Sequence, residues 1–215
     1  GWKGIGYDVD EVSLANAHAG NGLAVAKGLY QLKKGDWLES DEEARVDLIF
    51  AGMVLEHLED PARSRFLEVC RRHLAANGRC IFLVPGSPRD WGIEDEIAGH
   101  YRRYTRADLK EFIESTGWVV QHLAGLNYPL SNLMLPVSNW LTRRSEGYKR
   151  EFTMLERTRL SGRRSVPGKT HLPESMSLLV NEWTMYPFHW LQKIFSNADR
   201  ALVLYVECEP RSNPS

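Results

Sequence analysis

The sequence predicts an α/β protein: an open, mostly parallel sheet that ends on an antiparallel last strand, with a helical insertion before that strand. Three observations carry this reading. Short apolar runs alternate with segments of helical periodicity between residues 3 and 125, the order of elements that builds parallel sheets. Acidic residues and glycines follow directly after the strand-like runs, at the edge where such sheets bind ligands. After a stretch of helical pieces, Ala201-Leu202-Val203-Leu204-Tyr205-Val206-Glu207 reads as one more strand.

Residues 3–8 form the first strand, and Asp10 caps a helix over 11–28 that is rich in Ala and Leu. Residues 28–34 alternate enough for an outer strand, stopped by Gly35-Asp36. Residues 46–51 (Val-Asp-Leu-Ile-Phe-Ala) are nearly continuous in apolar character, as in a strand covered on both faces. A helix over 61–74 places Phe66, Leu67, Val69, Cys70 and Leu74 at helical spacing, with Asn77-Gly78 as its left-handed stop. Residues 80–84 form a buried strand ended by Pro85-Gly86. Thr105 caps a helix over 105–116 that has Asp108 in its first turn and closes at Gly117, and residues 118–123 form a strand. From Pro129 the pattern changes to helical pieces rich in Trp, Met, Leu and Arg, with a basic loop over 161–173 and a short aromatic helix after Pro187. The expected division is a core over 1–128, a helical insertion or substrate cap over 129–199, and a final core strand over 200–209.

Composition bounds the function. A chain of 215 residues with 43% hydrophobic content buries one substantial core. A net charge of -1 argues against chain-wide attraction to nucleic acid. Charge is nevertheless uneven: residues 143–169 carry nine Lys/Arg against three Asp/Glu, whereas the first sixty residues carry twelve acidic and five basic side chains. Cys70, Cys80 and Cys208 form no CxxC pair, which argues against a disulfide framework or a zinc site and fits a reducing cytoplasm. No apolar run reaches the roughly 18 residues of a membrane span.

Candidate site residues sit after the strands. Asp8 is placed to accept hydrogen bonds from ribose hydroxyls, and Val9 to lie on an adenine face. Asp36 is placed to accept from an exocyclic amine, with Trp37 stacked on the ring. Ala51-Gly52-Met53 offers small residues where backbone approaches a ligand, and Glu56-His57 follows. The plainer readings are an ordinary turn for Gly35-Asp36 and core packing for Trp37. For a hydroxyl acceptor, His57 and His100 are the base candidates, because imidazole titrates near neutral pH; the alternatives are a packing role for His57 and ordering of the 101–104 loop for His100. Arg102, Arg103 and Tyr104 read as a lid over an anionic substrate or as solvated surface. The remaining histidines show no metal-ligand spacing, and no metal is expected.

The joint order of Gly4 to Asp10, Gly35-Asp36, Val46 to Ala51, Val54-Leu55-Glu56-His57-Leu58-Glu59-Asp60-Pro61 and Leu74 to Phe82 resembles class I S-adenosylmethionine-dependent methyltransferases. His100 to Thr105, Asp108-Leu109 and Gly117-Trp118 resemble the small-molecule and lipid-type branch of that family. The resemblance covers residues 1 to about 125 and implies a Rossmann-like sheet and S-adenosylmethionine as cofactor. It implies that Asp8 holds the ribose, Val9 and Trp37 flank the adenine, Asp36 receives its amine, and Ala51 lines the methionine end, with Gly52 beside it as a further cofactor-binding residue. The family's first strand and glycine-rich turn would precede Gly1 and have no counterpart, so a truncated chain with an unstable or rearranged sheet is expected. The implied activity is direct methyl transfer to a small-molecule, saccharide or lipid-linked acceptor. The basic and aromatic stretch over 143–195 suits peripheral contact with a membrane, against a plainer reading in which its aromatics cap the sheet. The alternatives are a non-catalytic scaffold of the same fold and a nicotinamide-dependent oxidoreductase.

Overall fold

A computed structural model describes residues 1–40, 45–161 and 181–211. The chain runs β1 (Gly4–Asp8), α1 (Glu11–Gly20), α2 (Gly22–Ala26), β2 (Tyr30–Lys34), β3 (Val46–Gly52), α3 (Asp60–His73) and β4 (Leu74–Pro85). It continues through α4 (Ile93–Ala98), α5 (Arg106–Ser115), β5 (Trp118–Leu126), α6 (Leu130–Glu146), α7 (Met154–Ser161), α8 (Glu182–Ile194) and β6 (Val203–Pro210). The basic loop expected over 161–173 falls almost wholly outside the described residues.

Strands β3, β4, β6 and β5 hydrogen-bond in that order, with β3 parallel to β4 and β6 antiparallel to both of its neighbours. Strands β1 and β2 pair in parallel as a separate two-stranded sheet. The Rossmann-like α/β architecture with an antiparallel last strand is therefore present, divided between β1 and β3.

The core follows the period of two along a strand. Cys80, Phe82 and Val84 of β4 lie opposite Cys208, Val206 and Leu204 of β6, and all six are buried. Phe66, Leu67 and Cys70 of α3, Leu109 and Ile113 of α5, and Trp118 belong to the same cluster. Each such side chain contributes about 1.5–3 kcal/mol on burial. Arg71 of α3 donates to the carbonyls of Thr116 and Gly117 at 2.9 and 2.8 Å, which fixes the turn into β5 against α3. Thr105 caps α5, accepting from the Asp108 N–H at 3.0 Å.

Several local expectations change. The helix expected over 11–28 breaks at Asn21 into α1 and α2. Asn77-Gly78 does not stop a helix in a left-handed turn. Leu74 ends α3 in extended conformation, and residues 75–78 form a bulge where β4 gains residues against β3. The face of β3 that carries Leu48 and Phe50 is uncovered while Ile49 is buried, so β3 is covered on one face rather than two. Pro187 lies inside α8 rather than before it, because Asn181 caps the helix a turn earlier.

Candidate functional site

The segments that follow β1, β2, β3 and β4 converge with α4, α6 and α7 around an open cavity of 1790 Å³. Asp8, Val9, Asp36, Trp37, Gly52, His57 and His100 all line it. Ala51 stands one residue back within β3, paired with Phe82.

Asp8 and Asp10 divide two tasks. Asp10 accepts from the Ser13 N–H at 2.9 Å and so caps α1. Asp8 uses Oδ1 to accept from the Asp10 N–H at 2.8 Å, and the residue lines the cavity. Asp36 accepts from the Leu38 N–H at 2.9 Å and starts a single 3-10 turn over Trp37–Glu39. The Trp37 ring packs between Tyr7 and His73, with centroids 5.2 and 4.7 Å away. The packing role weighed for Trp37 is thus real, and its edge reaches the cavity as well.

Another part of the lining is built by a long-range clasp. The segment over 99–104 lies on the 3-10 turn Leu55–His57: the Tyr101 N–H donates to the Glu56 carbonyl at 2.8 Å, and the Tyr104 hydroxyl donates to the Leu55 carbonyl at 3.2 Å. This brings the His57 and His100 rings to 4.8 Å between centroids, edge to face. Beside them lies Glu56, fully buried, with neither carboxylate oxygen hydrogen-bonded. Burial pushes the Glu56 carboxyl up to about 8, aided by the Asp95 charge. Burial and the nearby His100 push His57 down to about 4, against the pull of the Gly99 carbonyl 3.3 Å from Nδ1, so the ring is neutral at pH 7.

His100 is held from behind. Its Nδ1 lies 2.9 Å from Oδ1 of Asp95, a fully buried carboxylate that also accepts from Arg103 Nε at 2.7 Å and from the Gly92 N–H at 2.8 Å. Burial alone would raise the Asp95 carboxyl, but the His100 and Arg103 hydrogen bonds outweigh it and hold the group below its ordinary range. An ionised carboxylate only accepts, so the ring meets Asp95 through Nδ1–H, and its Nε2 lies 3.9 Å from Glu56 Oε1.

The side chains of the 102–104 segment are tied down within the protein, and Arg103 also lines the cavity. Arg102 pairs with Asp60 at 2.5 Å, Arg103 donates to the Gly86 carbonyl at 3.1 Å, and Tyr104 is buried. Sequence reasoning did not single out Asp95 or the burial of Glu56.

A family model described as a methyltransferase domain matches residues 1–123. No curated protein matches the chain. Among solved structures, the crystal structure of the (4+2)-cyclase SpnF aligns with a TM-score of 0.54 at 10% identity, over 99% of this chain and 68% of that one. A DhpI–SAH complex aligns with a TM-score of 0.50 at 13% identity, over 98% of this chain and 67% of that one. The pyocyanin biosynthetic protein PhzM aligns with a TM-score of 0.46 at 20% identity over 56% of this chain, which spans 38% of PhzM. For the first two, at these identities, the likeness is one of fold.

Proposed function

The chain belongs to the methyltransferase-domain family that its residues 1–123 match, and from this premise we propose that it moves a methyl group from S-adenosylmethionine to an oxygen of a small, partly apolar acceptor. The observation that carries the reading is the shared cavity, which Asp8, Asp36, His57 and His100 all line. The free oxygen of Asp8 suits a ribose hydroxyl, and the cavity's 1790 Å³ has room for a nucleoside and an acceptor together. When bound, the cofactor supplies an electrophilic methyl group on a sulfonium.

This chain's residues do the rest. Asp8 fixes the ribose, Asp36 receives the adenine amine, Val9 and Trp37 border the ring, and Gly52 with the neighbouring Ala51 borders the methionine end. Holding two reactants in line is worth effective molarities on the order of 10⁵–10⁸ M, so alignment supplies most of the acceleration. His57 and His100 stand where the acceptor's oxygen would lose its proton, and Asp95 keeps His100 oriented.

Met134, Leu135, Val137 and Leu141 of α6 line the same cavity, which favours an acceptor with an apolar body. Exposed Trp183, Tyr186, Trp190 and Ile194 on α8 favour an acceptor presented from a lipid surface, in a cytoplasmic protein that touches the membrane peripherally. Among the described residues no helix is long and apolar enough to cross a membrane. The division into a core over 1–128, a cap over 129–199 and a closing strand over 200–209 fits this reading, with the cap choosing the acceptor.

Calorimetry with S-adenosylhomocysteine tests the proposal. The wild-type protein is expected to bind one equivalent and Asp8→Ala to bind at least 10-fold more weakly; a folded protein that binds none leaves only a scaffold. Because the fold is shared with a (4+2)-cyclase, transfer of labelled methyl to an acceptor is the assay that separates a transferase from a binder of the same cofactor.

A further inference from the structure

We propose that Glu56, His57 and His100 form a binding site for one divalent cation of the class that accepts imidazole and carboxylate ligands, such as Mn²⁺, Co²⁺ or Zn²⁺. One ligand atom from each residue lies within 4.8 Å of the other two, and His100 Nε2 lies 3.9 Å from Glu56 Oε1. Donors around such an ion sit about 2.0–2.2 Å from it, hence roughly 3–3.5 Å from one another, so closure by about 1 Å completes the site.

Glu56 supplies the independent evidence. Its side chain is 0% exposed, yet both carboxylate oxygens lack a hydrogen-bond partner. Buried polar atoms are nearly always paired, and an orphaned pair of oxygens facing two imidazoles calls for a partner that is not a protein hydrogen. A cation satisfies both oxygens and both rings at once.

The surroundings prepare the two rings as ligands. Asp95 accepts from His100 Nδ1–H, the carboxylate–histidine arrangement that fixes ring orientation and raises ligand basicity in metal sites. The Gly99 carbonyl, 3.3 Å from His57 Nδ1, favours a proton there and a lone pair at Nε2. Two imidazoles and one carboxylate leave coordination positions open, the pattern of reactive rather than structural metal sites. His57 and His100 both line the cavity, so those open positions face the space assigned to the acceptor.

The cation's task rests on the methyl-transfer reading: an acceptor hydroxyl bound to it would release its proton to solvent more readily near neutral pH and attack as the stronger nucleophile, with the histidines serving as ligands in place of bases. The site itself does not rest on that reading.

The test is titration of untagged, chelator-stripped protein with Co²⁺, followed by visible absorption, and with Mn²⁺ or Zn²⁺ by calorimetry. One equivalent is expected to bind in the micromolar range or tighter. Glu56→Gln and His100→Gln should each weaken it at least 10-fold, Asp95→Asn should weaken it 10- to 100-fold, and His122→Gln on β5 should change nothing. Circular dichroism establishes that each variant is folded. Absence of binding at millimolar cation, or binding unchanged in folded Glu56→Gln and His100→Gln, overturns the proposal. S-adenosylhomocysteine is titrated into the same samples. Its binding without the cation's overturns the metal site alone, and the cation's binding without it supports the site while removing the methyl-transfer reading.

Discussion

Asp95 and Arg103 form a 2.7 Å ion pair in which the carboxylate is fully buried and the guanidinium nearly so. The pair joins α4 to the strap that carries His100, and it also holds the Gly86 carbonyl through Arg103. It thereby ties the end of β4 to the wall of the cavity.

Removing one partner of a buried pair leaves the other charge uncompensated. Asp95→Ala is therefore expected to cost about 3–5 kcal/mol of stability. Urea unfolding followed by fluorescence measures it, and a loss below about 1 kcal/mol would show that water reaches Arg103 freely.

Asp8 and Asp10 should separate cleanly. Asp8→Ala is expected to lose about 1.5–3 kcal/mol of S-adenosylhomocysteine binding, the worth of a hydrogen bond to a charged group. Asp10→Ala is expected to lose about 0.5–2 kcal/mol of stability through the lost cap of α1. Calorimetry and thermal unfolding on both variants check the division.

Glu56 gives a pH dependence in chelator-stripped protein. Its native carboxyl, raised by burial from 4.5 to about 8, keeps its proton where the unfolded chain releases it. Its contribution to stability is complete below pH 4.5 and is lost as pH rises to 8, at about 1.4 kcal/mol per pH unit. Glu56→Gln should flatten that slope in unfolding curves taken at several pH values.

Gly86 closes the junction of β4 and β6, with its N–H donating to the Leu202 carbonyl at 2.9 Å. A Cβ there would sit 2.3 Å from the Ala201 carbonyl oxygen and 3.0 Å from Leu204 Cγ. Gly86→Ala should cost about 1–3 kcal/mol through overpacking, a fall of roughly 2–4 °C in melting temperature per kcal/mol.

The exposed ring of Trp183 on α8 should report membrane contact. Trp183 fluorescence is expected to shift to the blue with vesicles containing anionic lipid, and Trp183→Ala together with Trp190→Ala should reduce co-sedimentation several-fold. No shift and no sedimentation would confine the acceptor to solution.

Local chemistry made much of this molecule legible. The Thr105–Asp108 capping pair, the Asp10 cap and the apolar runs of β4 and β6 are signals carried within a few residues, and the fold keeps them. Glu56 was opaque because its burial is not local. In sequence it is an acidic residue in a polar Glu-His-Leu-Glu-Asp run, and it is sealed only when a strap more than 40 residues away bonds to Glu56 and Leu55. Asn77-Gly78 misled for a related reason: a pair that suits a helix stop also suits a bulge, and pairing with β3 selects the bulge. Pro187 misled because a capping residue upstream outweighs a single missing donor in the first turns of α8.

The division of the sheet between β1 and β3 should give the protein two cooperative units of unequal strength. A two-stranded ribbon is marginal by itself, so the amides of β1 and β2 should exchange with solvent well before those of β4 and β6. Asp8 belongs to the weaker unit and Gly52 to the stronger, and both line the cavity. A ligand that touches both must hold the ribbon in place, and slower exchange at Gly6 and Tyr7 would be the first sign of its arrival.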